Sequence, residues 1–358
     1  EMTIAESLSD VGYTCGVIGK WHLGANPVHH PLNRGFDEFF GHLGGGHQYF
    51  PGELIYEDSY AVSEESKSYR TWIMKNHDHV KTEKYLTDEF SDEALRFVEK
   101  YKEDPFFLFL SYNAPHGPLQ ATEKYLSRFE DIKDTKRKTY AAMVSAVDDG
   151  VGMLLDKLAK LNLMENTLIF FLSDNGGPEE HNGSDNGELR AGKGSVYEGG
   201  FRVPFALQWK GTIKPGMFNN PVSSMDIFAT ISALSGSPVK PDKPLDGKNL
   251  LPYIGGDKQG SPHEAIYLRQ YDAKRFAVRQ GDYKLVTLEN AAIKELYNLE
   301  EDISESNNIA ADYPEKLNEI DSLRKAWNEK LIRPTFLGLL HGGAWGWEPR
   351  EEEIYEVK

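Results

Sequence analysis

A single cysteine, Cys15, rules out any disulfide within the 358-residue chain. A reducing compartment fits that scarcity, and so does an exported bacterial protein that needs no cross-link. No apolar run approaches the ~18 residues that a membrane-spanning helix requires. Positive charge is in deficit: 40 Lys and Arg stand against 56 Asp and Glu, a formal net charge of −16. An acidic chain of this kind is a poor non-specific binder of nucleic acid, although a basic pocket within it still accepts an anion. The Gly-x-x-x-x-Gly-Lys-Ser/Thr spacing of a P-loop is missing, so a bound nucleotide gets no support. Low-complexity tracts are absent too, and 39% hydrophobic with 12% aromatic residues suits an ordinary folded protein.

What is present centres on Thr167 to Gly177. The apolar run Leu168–Leu172 reads as a strand buried on both faces, as at the centre of a parallel sheet. It ends in Asp174 and Asn175, followed by Gly176 and Gly177. Ligands of open α/β sheets bind beyond the carboxyl ends of strands. Adjacent carboxylate and amide oxygens there suit a hard cation such as Ca²⁺ or Mg²⁺. An Asx turn leaving a strand is an equally good account of Asp-Asn-Gly taken alone.

Two further strands end in the same manner. Tyr13–Gly19 delivers Lys20 and His22, two apart and therefore on one side of an extended segment. Phe106–Leu110 leads to His116, held between Pro115 and Pro118. Taken singly, a Lys-x-His pair is more often surface decoration, and a proline-flanked histidine more often a rigid turn. Lys193 lies between Gly192 and Gly194, which let backbone approach a ligand while the ammonium makes a point-charge contact.

Helices are expected from the start of the chain to Gly12 (Ile4, Leu8 and Val11 apolar), from a Thr87 cap to about Lys102, and over Asp134–Leu161. The last carries a stripe of Val144, Val147, Val151, Leu154, Leu158 and Leu161; Asp148-Asp149 on it reads as a solvated charge pair. Residues 25–80 form a long aromatic- and histidine-rich loop, in which His29, His30 and His47 are individually bystanders. The chain opens on a helix already under way, which predicts a fragment whose true start lies upstream. Losing a first strand would open a sheet edge and lower stability. Near residue 260 the texture changes to short alternating strands (Ala265–Arg269, Arg275–Arg279, Tyr283–Thr287) and a helix from Pro314 to Leu331. The tail Gly338–Lys358 fits no element.

Four segments now stand in order: Gly19-Lys-Trp-His-Leu-Gly24, Ala114-Pro-His-Gly-Pro118, Ser173-Asp-Asn-Gly-Gly177, and Gly192-Lys-Gly with Tyr197-Glu-Gly-Gly200. Together they resemble the type I, formylglycine-dependent sulfatases of the alkaline phosphatase superfamily. Arg279-Gln-Gly-Asp-Tyr-Lys-Leu285 and Glu295-Leu-Tyr-Asn-Leu299 are similar to that family's C-terminal subdomain, so the resemblance runs to about residue 335. Each motif alone is weak; four in register are specific.

The resemblance implies an α/β fold, a mixed and largely parallel sheet sandwiched by helices, with a smaller C-terminal α+β antiparallel subdomain. Residues 1–260 would be the catalytic domain without its N-terminal part, and 261–358 the subdomain. It implies sulfate-ester hydrolysis, with Asp174 and Asn175 completing a Ca²⁺ shell (Mg²⁺ less favoured). Lys20 and Lys193 would neutralise the sulfate, His116 with Lys193 would serve the leaving oxygen, and His22 would serve the formylglycine diol. The family's paired N-terminal aspartates and its Cys/Ser-x-Pro/Ala-x-Arg signature are not in this sequence. Cys15 lacks the arginine and reads as a small buried residue; the formylglycine is expected upstream.

A sulfated sugar is the expected substrate over a small sulfate ester, with His47 and His181 as candidate carbohydrate contacts. Periplasm or cell exterior is expected by family analogy. The rival readings are a phosphodiesterase or phosphonate monoester hydrolase of the same superfamily, and an inactive module that binds sulfated glycans. Oligomeric state is not legible.

Overall fold

The computed structural model describes residues 1–51, 71–237, 239, 244–271 and 273–332. The chain divides into two compact units, Glu1–Phe170 with Leu207–Gly260, and Phe171–Ala206 with Ser261–Lys358. The tail Gly338–Lys358 and part of the long loop lie outside the described residues.

The first unit is built on a five-stranded sheet of order β4-β3-β2-β1-β5. Strand β1 (Thr14–Lys20) runs parallel to both β2 (Glu38–His42) and β5 (Phe106–Ser111). The short strands β3 (Ile73–Lys75) and β4 (Asp78–Val80) add an antiparallel edge. Five consecutive buried residues put β1 at the heart of this unit. Its Gly16 leaves room for the Phe97 ring, which would lie 2.3 Å from a Cβ at that position. At the other edge β5 pairs with β1 alone among the described residues, and Phe109 on it is 41% exposed.

Helix α1 (Ile4–Ser9) starts with a reciprocal cap: Thr3 Oγ1 accepts from the Glu6 amide and the Glu6 carboxylate from the Thr3 amide. Helix α2 (Leu86–Lys100) buries Phe90, Ala94, Phe97 and Val98 as its spacing predicts. It begins one residue before Thr87, which lies inside it as a buried residue and caps nothing. Helix α3 (Thr135–Lys160) is capped by Asp134, whose carboxylate accepts from the Arg137 amide. Its buried face is Ala142, Met143, Ala146, Gly150 and Leu158; of the expected stripe, Leu158 is buried and Val147 packs against the core, whereas Val144 is 41% exposed. The cause is Gly150, where a Cβ would lie within 2.4 Å of the Ser91 and Tyr112 hydroxyls; small residues let α3 approach closely there. Asp149 is held by both Arg128 amino nitrogens at the surface. Helix α4 (Asp226–Ser235) completes the elements of this unit used below.

Strands β6 (Ile169–Leu172) and β7 (Phe205–Gln208) form a two-stranded sheet, and the division between the units passes through both. The expectation of a central strand buried on both faces is corrected here, since Phe171 is 48% exposed. Apolar composition made the strand, but its burial depends on flanking strands, and β7 alone pairs with it among the described residues.

The second unit carries a four-stranded antiparallel sheet, β11-β10-β9-β8. Its strands are β8 (Ile266–Gln270), β9 (Arg275–Gln280), β10 (Tyr283–Leu288) and β11 (Ile293–Asn298). The first three match the alternating runs read from the sequence to within one residue. Helix α5 (Pro314–Glu329) packs Ile320 and Leu317 into a cluster with Val278, Leu285 and Leu296. The protein is thus α/β, a mixed sheet with helices plus a separate antiparallel sheet. No helix among the described residues is long and apolar enough to cross a membrane.

Candidate active site

In the first unit the candidates gather at the carboxyl ends of the adjacent parallel strands β2, β1 and β5. Lys20 closes β1 and is in register with His42, which closes β2. The chain then turns sharply. Gly19 has φ +111° and a Cβ there would lie 1.9 Å from the Ser111 carbonyl oxygen, so only glycine fits. His22 itself adopts φ +54°, an uncommon conformation for a side-chain-bearing residue. Its amide donates to the Leu43 carbonyl at 3.1 Å and the Trp21 amide to that of His42 at 3.0 Å. The His22 ring lies against Gly45, where a Cβ would be 2.7 Å from Nε2. The glycine run Gly44–Gly46 therefore makes room for this imidazole.

His116 follows β5. Its Nδ1 lies 2.8 Å from the Gly117 carbonyl oxygen, and its own carbonyl accepts from the Tyr49 hydroxyl at 2.8 Å. The peptide bonds before Pro115 and Pro118 are both cis. His47 is fully buried, with its two ring nitrogens each 2.7 Å from a carbonyl oxygen, those of Gln48 and Thr71. It pins its loop to the Thr71 segment.

Sequence reasoning missed His42. It is wholly buried, its ring centroid 5.0 Å from that of His47. Burial holds its proton affinity well below the ordinary value, and the charges of His47, Lys20 and His22 push the same way. His42 is therefore neutral at physiological pH, beside Lys20 on the neighbouring strand. The available signal was a histidine ending the apolar run Phe39-Phe40-Gly41 in place of a fourth apolar residue. Cys15, in contrast, behaves as read: it is buried, and desolvation pushes its thiol up to about 11, far from a reactive thiolate.

The second unit holds Asp174, Asn175, His181 and Lys193. Beyond β6, the Ser173 hydroxyl donates to the Asn175 carbonyl at 2.9 Å. Asn175 Nδ2 donates to the Gly176 carbonyl at 3.0 Å, which turns Oδ1 the other way as the open acceptor edge of the amide. Asp174 is exposed beside it. The turn is stitched to the loop carrying Lys193: the Gly176 amide donates to Gly200 at 3.0 Å, and Asn186 Nδ2 bridges the Gly177 and Ala191 carbonyls. Lys193 is exposed at the loop tip, while His181 is exposed on the helical turn Glu179–Asn182.

A carboxylate and an amide oxygen on a hydrogen-bonded turn fit a hard divalent cation in donor type. They supply two of the roughly six to eight oxygens such an ion takes, and no group of three or more His, Cys, Asp or Glu suited to a metal occurs among the described residues.

These features fit a class of α/β proteins that carry cationic side chains and hard oxygen donors on loops beyond strand ends. A family model described as Sulfatase matches residues 1–237, and one described as N-sulphoglucosamine sulphohydrolase, C-terminal, matches 191–333. The chain belongs to the sulfatase family of the alkaline phosphatase superfamily. It is 35% identical over 295 residues to an arylsulfatase of Hemicentrotus pulcherrimus, covering 79% of this chain and 51% of the relative. It is likewise 35% identical over 267 residues to human N-acetylgalactosamine-6-sulfatase, covering 71% and 48%. The chain thus spans about half the length of these curated relatives. Among solved structures, Ps i-CgsB in complex with k-i-k-neocarrahexaose superposes with a TM-score of 0.87 at 40% identity, covering 94% of this chain and 76% of that one.

Proposed function

We propose that the chain is part of a hydrolase that removes sulfate from a sulfated carbohydrate, and that with roughly half of the metal site and no nucleophile it is inactive alone. The observation that carries this reading is the set of basic groups beyond adjacent strand ends, Lys20, His22 and His116, with His42 in register beside Lys20. A sulfate ester needs preorganised cationic and hydrogen-bonding groups of this kind around its oxygens. Lys20 and Lys193 neutralise the sulfate oxygens. His116, with Lys193, donates the proton that the departing alcohol oxygen requires. His22 takes up and returns a proton at its imidazole. Asp174 and Asn175 would hold a divalent cation, Ca²⁺ before Mg²⁺, and when bound it supplies Lewis-acid stabilisation of sulfate charge. No Cys/Ser-x-Pro/Ala-x-Arg segment occurs in these 358 residues, so the formylglycine nucleophile would be supplied from sequence beyond them.

The sugar preference draws support from Ps i-CgsB, whose solved complex contains k-i-k-neocarrahexaose, and from the human relative named for N-acetylgalactosamine-6-sulfate. Here His181 is the exposed carbohydrate contact, whereas His47, expected as a second, is buried with both ring nitrogens against carbonyl oxygens and does not fit that role. Residues 1–260 serve as catalytic domain and 261–358 as subdomain, and the protein works in the periplasm or outside the cell, which cell fractionation would check.

The test is turnover of an aryl sulfate and of sulfated oligosaccharides by the full-length protein with and without Ca²⁺. Lys20→Ala and Lys193→Ala should each lower kcat by about 10²–10³. Faster turnover of a phosphonate monoester or phosphodiester would move the assignment to those hydrolases. Glycan binding without turnover would leave a binding module.

A further inference from the structure

Lys284, the second residue of β10, is 0% exposed and lies outside the candidate site. Its Nζ lies 2.8 Å from Glu198 Oε1 and 2.7 Å from Glu305 Oε1, and 4.5 Å above the Phe201 ring. Both carboxylates are buried as well. A buried ion pair is weak evidence for stability, because apolar replacements of similar shape often serve as well. Its value must therefore be sought in the geometry that it fixes.

That geometry concerns the loop carrying Lys193. Glu198 begins the helical turn Glu198–Phe201 on the exit side of the loop, and its amide donates to Glu305 Oε2 at 2.6 Å. Both the backbone and the carboxylate of this residue are thereby tied to one buried partner set. On the entry side, Arg190 donates to the Glu305 carbonyl at 2.8 Å and lays its guanidinium 3.9 Å from the centre of the Tyr197 ring. Glu305 thus grips both stems, one through its carboxylate and the other through its carbonyl. It does so at φ +52°, a conformation costly for a side-chain-bearing residue and kept only where surroundings enforce it. Between the two stems, the Gly199 amide donates to the Arg190 carbonyl at 2.9 Å and closes the loop.

We propose that Lys284 and Glu305 form a buried clamp that positions the Lys193 loop for the sulfate group. The C-terminal sheet then contributes to the chemistry through positioning residues that never touch substrate. The proposal rests on the reading of Lys193 as a sulfate contact. It assigns the paired charges a task that an apolar core could not perform, since only directional hydrogen bonds fix two stems at once.

The test compares the full-length protein with Glu305→Gln, which keeps side-chain shape and leaves Lys284 paired with Glu198, and with Lys284→Met combined with Glu305→Gln. Amide exchange is read over residues 190–201 against strands β8–β11, beside titration with inorganic sulfate and kcat and KM on an aryl sulfate. The expected result is faster exchange confined to the loop, graded from the single to the double variant. Sulfate affinity and kcat/KM should fall, by up to about 10²-fold in the double variant, as small misplacements of a charged group do. A folded double variant with unchanged loop exchange, or with kcat/KM within about twofold of the parent, overturns the clamp. Should the double variant not fold, Glu305→Gln decides by the same readings. If the parent turns over no sulfate ester, the sulfatase reading fails, and the clamp stands or falls on loop exchange alone.

Discussion

Beneath Lys20 and His22, the first unit packs hydrocarbon: Ile18, Phe40, Phe90 and Phe97 join Tyr49, Tyr85 and Tyr125 in one buried cluster. Beneath the Lys193 loop, the second unit places an ammonium between two carboxylates. Both arrangements hold a loop at a strand end, but they fail differently. Hydrocarbon packing is roughly proportional to area and tolerates partial loss. A buried charge pair contributes little while intact and becomes costly once one partner is removed.

The largest expected effect follows from that asymmetry. Lys284→Met strips Glu305 of its buried counter-charge and leaves Glu198 with Arg202 alone, 3.3 Å away, and should cost about 3–5 kcal/mol. Denaturant-dependent amide exchange should show the loss in the second unit, with the first unit little changed. Equal loss in both units would erase the distinction drawn here. Next comes Phe90→Ala in the first unit, a fully buried ring on α2. Its cavity should cost about 3 kcal/mol, seen as faster exchange across β1, β2 and α2 and sparing β9–β11.

A smaller effect sharpens the comparison through pH. Burial alone would raise the Glu38 carboxyl, but hydrogen bonds from Lys100, Arg96 and Tyr101 hold it at about 2, below its ordinary 4.5. In the second unit, burial is likewise outweighed at Asp321 by Lys294, Arg324 and Lys325, which hold it at about 2, below 3.8. A depressed carboxylate contributes stability that is fully present above its unfolded value. That contribution is lost as pH falls through the window down to the folded value. Both units should therefore weaken between about pH 4.5 and 2. Glu38→Gln should flatten the acid response of the first unit and leave that of the second, as pH-dependent amide exchange would report. A response unchanged in the first unit would remove Glu38 as its cause.

Much of this was legible in the sequence because apolar runs and their polar terminators are local signals. The runs around Val17, Phe107 and Phe170 announced strands, and Lys20, His116 and Asp174 announced what lay beyond them. Long-range pairs leave no such trace. Nothing in the neighbourhood of Lys284 marks it as a partner of Glu198, 86 positions away. Strand β11 was read only as a family motif, since Glu295 and Lys294 interrupt its apolar residues. Those two charges turn out to be hydrogen-bonded, Glu295 to the Tyr197 hydroxyl and Lys294 to Asp321. The face that α3 buries was misread for a related reason. Leu158 and Val147 of the expected stripe do face the core, but the close approach at Gly150 brings small residues there and leaves Val144 outside.

The single-sided pairing of β5 bears on how this protein behaves in a tube. Its outer ladder presents amide and carbonyl groups with an aromatic side chain, Phe109, among them. Such a rim is a template for backbone pairing between molecules, and neither a proline nor a charged residue within Phe106–Ser111 blunts it. Self-association should therefore grow with concentration, and light scattering on dilution would follow it.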